Sequence, residues 1–205
     1  MSKGKLIVIE GGDGAGKSTF VKSLMKTHPE YVFCKQPGGD GTGISQKIRE
    51  LVLSDDAKVA DPLTQFFMFW GSRSETIAKV IKPALSEGKI VVSDRFDAST
   101  FAFQVGVNPN LEGLFWNTRK VCLRTIVPVY LNFEVSVSVA EARMEGRPDS
   151  NHYDTREDRY RERVKVMYKR FFSNKDIKSH TIDADVSMVD MIRIGEEAFG
   201  KALQM

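Results

Sequence analysis

Short apolar runs recur at 5–10, 31–35, 89–93, 126–132 and 178–183, rich in Val, Ile and Phe and with little polar alternation. Runs of this length and texture predict strands buried on both faces. Between them apolar residues return every three to four positions, which predicts helices at 17–27, 44–54, 111–124, 134–145, 155–172 and 186–203. A longer helix is expected over 62–87, kinked at Pro83, whose ring removes a donor and crowds the preceding turn. Strands alternating with helices predict a parallel sheet of five strands with helices packed on both sides. No repeat or low-complexity linker divides the 205 residues, so one domain is expected, large enough to bury roughly 70% of its unfolded surface.

Two segments break the alternation. Gln36-Pro37-Gly38-Gly39-Asp40-Gly41-Thr42-Gly43 is too rich in glycine to be regular, and Glu145-Gly146-Arg147-Pro148-Asp149-Ser150-Asn151-His152-Tyr153-Asp154 is charged and unsuited to helix. Both are expected to serve as substrate elements, the second as a short lid at about 145–155.

The first strand runs directly into Gly11-Gly12-Asp13-Gly14-Ala15-Gly16-Lys17-Ser18-Thr19 and then into a helical stretch. A G-x-x-x-x-G-K-S pattern in that setting is a P-loop, so the expected architecture is the three-layer α/β P-loop NTPase fold. The glycines let backbone N–H groups turn inward around phosphate oxygens, and the following helix adds its positive end. Lys17 is expected to reach the terminal phosphates of ATP, with the Ser18 hydroxyl on Mg2+.

Composition narrows the ligand class. A formal net charge of +3 suits a protein that handles anions but supplies no dense basic stripe for nucleic acid. The two cysteines, Cys34 and Cys122, are far apart and read as small buried hydrophobes, and His28, His152 and His180 lack metal-ligand spacing. No signal-like segment and no apolar run of membrane-spanning length is visible, so no membrane association and a cytoplasmic location are expected.

A P-loop alone fits GTPases, ATPases and several kinases. The third strand ends in Asp94-Arg95, at the edge where open α/β sheets bind ligands. Asp94 could hold Mg2+ or its waters, and Arg95 could grip a phosphate with two donors. Phe69 and Arg73, four residues apart, share a helix face and could present a ring and a guanidinium to one planar base. No N-K-x-D guanine motif is present, since Asn174-Lys175-Asp176 has the wrong spacing.

Together these segments resemble thymidylate kinases, and the likeness runs nearly end to end. Asp94-Arg95-Phe96-x-x-Ser99-Thr100-x-Ala102-Phe103-Gln104 resembles the family's D-R-[YF]-x-x-S-x-x-A-[YF]-Q signature, Gln36-Pro37-Gly38-Gly39 its E-P-G-G loop, and Ile182-Asp183-Ala184 the segment opening its adenine-side loop. The resemblance implies transfer of the ATP γ-phosphoryl group to dTMP and, commonly, a homodimer paired through helices flanking the sheet. Phe69 would stack on thymine and Arg73 bond to the base. Asp13 would accept from the 3′-hydroxyl, and Phe103 would exclude a ribose 2′-hydroxyl by shape. Pro37, Ser99, Thr100 and Gln104 would complete the acceptor site, and Asp183 and Ala184 would line the donor base.

Lys35-Gln36 stands where many relatives carry Arg-Glu, and Asn151-His152 where Asp-Arg is common in bacterial members. With no basic residue at Gly14 or Ala15, the lid cation is left to Arg143 and Arg147, with Arg156 an outside candidate and the following charged run a solvated helix face. Two other readings stay open: a kinase for another nucleoside or nucleoside monophosphate, and a non-catalytic nucleotide-binding switch.

Overall fold

The computed structural model describes residues 4–145 and 158–205. Along the chain lie β1 (Lys5–Gly11), α1 (Lys17–Thr27), β2 (Val32–Lys35), α2 (Gly43–Leu53), α3 (Pro62–Thr76), α4 (Lys82–Ser86), β3 (Ile90–Asp94), α5 (Asp97–Thr100), α6 (Glu112–Leu123), β4 (Val129–Glu134), α7 (Val137–Met144), α8 (Asp158–Phe172), β5 (Lys178–Asp183) and α9 (Met188–Ala202). The strands form one parallel sheet in the order β2-β3-β1-β4-β5.

Alternation along β1 divides the core into two layers. Leu6 and Val8 face one cluster with Phe66 and Trp70 of α3, Phe101, Phe115 of α6, and Tyr168 and Phe171 of α8. Ile7 and Ile9 face the other, with Phe20 and Leu24 of α1 and Met191 and Phe199 of α9. Both faces of the central strand are thus dry, which is why its sequence reads as continuously apolar. The consequence for function is that the chain leaves β1 and β3 side by side at one edge, where their following loops form a cleft.

The expected elements are present, with three differences. The ladder of β4 begins only at Val129, because Pro128 has no N–H to give it, and continues to Glu134. The 62–87 helix does not kink at Pro83 alone: Ile77–Ile81 widens into a π-turn just upstream, easing the backbone past a residue that cannot donate. A helical segment that the sequence did not suggest follows β3, as α5 and a second π-turn at Phe101–Val105. Cys34 is buried as expected, whereas Cys122 is half-buried at the rim of α6.

The start of α3 is fixed locally. Asp61 caps it, its carboxylate accepting from the N–H groups of Leu63 at 2.8 Å and Thr64 at 3.3 Å, and Pro62 fills the first helical position, where no N–H is needed. Asp61→Ala is expected to lower stability by about 1 kcal/mol, a Tm decrease of roughly 2–4 °C for a domain of this size, without a matching loss of kcat. Calorimetry beside steady-state kinetics checks this.

Candidate functional site

A cleft of about 220 Å³ runs from the P-loop to α3 and includes Lys17, Ser18, Gln36, Phe69, Arg73, Asp94, Arg95 and Gln104 in its walls. At one end the loop after β1 wraps into α1, capped at its start by Gly16. Gly11 (φ 138°) and Gly14 (φ 77°) hold backbone angles that side chains disfavour, and a Cβ would lie 2.2 Å from the Phe133 carbonyl oxygen and 2.6 Å from that of Ala140, respectively. Gly12, Asp13, Gly14, Ala15 and Gly16 therefore form a compact turn against β4 and α7. Ser18 and Thr19 are exposed in the first turn of α1 and line the cleft.

Lys17 is buried and its ammonium donates to the Gly12 carbonyl oxygen at 2.5 Å. Burial lowers its pKa to about 8; Arg95 pushes in the same direction, and Asp13, Asp94 and Glu10 resist it. The Ser18 hydroxyl donates to an Asp94 carboxylate oxygen at 3.5 Å, and the Lys35 ammonium stands 3.7 Å from that same oxygen. A hydroxyl and a carboxylate facing one another at a phosphate site are hard oxygen donors of the kind Mg2+ takes alongside phosphate and water.

Arg95 directly follows β3 and lines the cleft. Its backbone sits at φ 65°, a left-handed conformation unusual for a side-chain-bearing residue. The guanidinium pairs with Asp13 and also donates to the Gly11 carbonyl at 3.1 Å, Ser99 Oγ at 3.2 Å and Tyr168 Oη at 3.2 Å. Burial opposes its charge but is outweighed by Asp13, Tyr168, Glu10 and Asp94, so its pKa is raised. What holds the strained turn is Glu10, a fully buried acid at the end of β1. It accepts from Phe96 N–H at 2.7 Å, Ser99 N–H at 3.1 Å, Ser99 Oγ at 2.7 Å and Tyr168 Oη at 3.1 Å. Burial pushes the Glu10 carboxyl up, against Arg95 and these donors. Behind it, buried Asp97 accepts from Arg119 Nε and Tyr130 Oη, each at 2.6 Å.

On α3, Phe69 is half-buried in the cleft wall and Arg73 is buried beside it. Arg73 Nη2 donates to the Phe96 carbonyl at 2.7 Å and Thr100 Oγ1 at 3.0 Å, with its guanidinium 4.5 Å from the Trp70 ring centroid. Its Nε and Nη1 have no partner among the described residues, and burial lowers its pKa. Phe103 lies under the Arg95 guanidinium at 5.5 Å. Pro37 and Gln104 also line the cleft, and the Pro37 carbonyl accepts from Arg49 Nη1 at 2.9 Å.

The remaining candidates gather behind the P-loop. Ala184 N–H donates to the Glu134 carbonyl at 2.8 Å, and the exposed Asp183 accepts from Asp185 N–H at 2.9 Å. Arg143 Nη2 donates to the Val186 carbonyl at 2.7 Å and Nη1 reaches the Gly14 carbonyl at 3.5 Å, joining that loop to the P-loop. Arg147, Arg156, Asn151, His152 and nearly all of the expected lid lie outside the described residues. Arg161, expected on a solvated face, instead bridges α8 to Glu141 of α7 at 2.6 Å. Glu10, Arg49, Asp97 and Tyr168 went unnoticed in the sequence. Only Glu10 carried a signal, an acid closing an otherwise apolar strand.

A P-loop, a hydroxyl and a carboxylate facing one another beside it, and a cationic pocket with an aromatic wall define a P-loop phosphotransferase of the nucleoside monophosphate kinase type. Comparison with known proteins sharpens the class. The family model for thymidylate kinase matches residues 9–193. The thymidylate kinase of Mesoplasma florum is 35% identical over 187 residues, 88% of each chain. That of Mycoplasma capricolum is 33% identical over 87% of this chain and 86% of its own, and that of Chromobacterium violaceum 32% identical over 92% and 90%. The chain belongs to the thymidylate kinase family.

Proposed function

We propose that this enzyme transfers the γ-phosphoryl group of ATP, bound with Mg2+, to the 5′-phosphate of dTMP. The observation that carries this reading is one cleft holding phosphate cations, Lys17 and Arg95, at one end and a base wall, Phe69 and Arg73, at the other. Ser18 and Asp94 would hold the ion, which when bound supplies positive charge to the phosphates. The P-loop N–H groups and Lys17 bind the donor, Arg143 and the Asp183-Ala184 loop flank it, and Arg143 or Arg147 closes over the transferring group. Arg95 grips the acceptor phosphate, and Asp13 takes the 3′-hydroxyl. The acceptor phosphate has a second pKa near about 6 and arrives largely as the dianion, so no general base is required. Alignment and charge neutralisation supply the rate. A nucleoside kinase would want a carboxylate base beside the acceptor hydroxyl, and residue 36 is a neutral amide.

Coupled ADP release with dTMP, dUMP, dGMP, CMP and thymidine tests the assignment. Turnover greatest with dTMP is expected; turnover greatest with thymidine, or none with any acceptor, overturns it. Phe69→Ala is expected to raise the dTMP KM about tenfold or more, since base stacking is worth roughly 1–3 kcal/mol, while the ATP KM stays put. Loss of thermal stability without a selective dTMP defect would return Phe69 to the core.

The enzyme is further proposed to work as a cytoplasmic homodimer. Ile44 and Leu51 lie two turns apart on α2, and Leu63 and Phe67 one turn apart on α3; all are exposed apolar residues on two helices that pack on each other. Among the described residues no helix is long and apolar enough to cross a membrane. Sedimentation of the wild type should give twice the monomer mass, and a persistent monomer at assay concentrations contradicts it.

A further inference from the structure

Gln36 is 2% exposed, lines the cleft, and neither its Oε1 nor its Nε2 has a partner among the described residues. Its backbone N–H continues the pairing of β2, donating to the Asp94 carbonyl at 2.9 Å. Side chains alternate there. Lys35 extends toward the Asp94 carboxylate, on the phosphate side, whereas Cys34 packs with Phe66 and Trp70 of α3. Gln36, in the turn that follows, lines the same cleft as Phe69 and Arg73 of α3.

That wall has more hydrogen-bonding capacity than thymine can meet. A pyrimidine whose O4 accepts from Arg73 carries N3–H on one flank of O4 and C5 on the other. It has one donor for two amides, Gln36 and Gln104. Gln104 belongs to the segment whose Phe96 and Thr100 already accept from Arg73 Nη2, and Gln36 lines the same cleft from the loop after β2. Pairing N3–H with Gln104 leaves Gln36 for the C5 side, where thymine offers only a methyl. A carbonyl could not satisfy Oε1, and a methyl satisfies neither atom; a hydroxyl can donate to Oε1 or accept from Nε2. Leaving a buried amide unmatched is unfavourable.

We propose that Gln36 is a specificity-determining residue which hydrogen-bonds a hydroxyl-bearing substituent at C5 of the acceptor, so that a pyrimidine deoxynucleoside monophosphate with such a group is taken at least as well as dTMP. The inference rests on the cleft being the acceptor site of a thymidylate kinase.

The test compares dTMP with 5-hydroxymethyl-dUMP, by calorimetric Kd and by kcat/KM, on the wild type, Gln36→Leu and Gln36→Glu. For the wild type the preference ratio, hydroxymethyl over methyl, should be one or greater. In Gln36→Leu it should fall at least tenfold, with the polar acceptor weakened and dTMP improved. Gln36→Glu keeps the length and an acceptor oxygen and should stay within threefold of the wild-type ratio, which covers the case of a Leu variant that fails to fold. A wild type that disfavours the hydroxymethyl nucleotide tenfold, or a Leu variant that moves both nucleotides alike, overturns the proposal. Binding that follows Gln36 without turnover of either nucleotide would refute the kinase reading and leave Gln36 in place. Turnover of dTMP with a ratio indifferent to Gln36 would do the reverse.

Discussion

Lys17→Ala is expected to lower kcat at least a thousandfold, about 4 kcal/mol of transition-state stabilisation, while the protein remains folded. The ammonium lies in a poorly solvated cleft and bonds to the Gly12 carbonyl 2.5 Å away, so it points where donor phosphates enter and contributes to neither core cluster. Water has little room to replace a charge lost there. The same burial that makes the charge effective lowers its pKa to about 8. The protonated form is the one that binds phosphate, so kcat/KM for ATP should fall as pH rises through about 8, and the kcat limb should lie higher because bound phosphate favours the ammonium. Stability follows the opposite course. Between about 8 and the ordinary lysine value of 10.5 the unfolded chain holds a proton that the folded protein has released, so wild-type stability rises with pH across that window. In Lys17→Ala both dependences should disappear. Near-normal kcat, or an unchanged alkaline limb, would remove Lys17 from the chemistry.

The parts of this molecule that were legible in its sequence are those decided over short distances. β1 and β3 read as strands because both faces are buried, and the P-loop because strand, glycine pattern and helix are contiguous. What was not legible depends on partners far along the chain. No helix was expected after Asp94, yet the segment becomes α5 and a π-turn, with Glu10 of the neighbouring strand receiving the N–H groups of Phe96 and Ser99. No propensity scale contains that interaction. α8 was expected as a helix, but the contacts made by its buried stripe of Val164, Met167, Tyr168 and Phe171 were not. Tyr168 then reaches Ser99 Oγ at 2.9 Å and accepts from Arg95 Nη1 at 3.2 Å, which brings α8 into direct contact with Arg95. The family resemblance reached Asp94, Arg95, Ser99 and Gln104 by pattern, but could not say which atoms would be left without partners. Arg73 and Gln36 differ from one another in that respect only in the structure.

Arg95→Ala is expected to raise the dTMP KM at least tenfold and lower kcat about a hundredfold, together roughly 4 kcal/mol, with the ATP KM moving far less. Two effects combine. The acceptor phosphate loses a guanidinium that can give two parallel donors, and the Asp13 carboxylate loses the cation that pairs with it. An unpaired acid is then left facing an incoming dianion, so the deficit exceeds that of a missing contact. Because phosphate is bound before transfer and carries more concentrated charge during it, the loss must appear in both constants. Arg95→Lys separates the two effects: it restores a charge for Asp13 but not the planar fork, so the KM should recover more than kcat. The backbone is no obstacle to this comparison, since all three residues meet the same left-handed strain at φ 65° that the Glu10 and Asp97 bonds already hold in place. If the ATP KM alone moved, Arg95 would belong to the donor. If both variants simply melted early with normal constants at low temperature, its bonds to Gly11, Ser99 and Tyr168 would be its whole purpose, and the acceptor phosphate would have to be held from the α2 side, where Arg49 also lines the cleft.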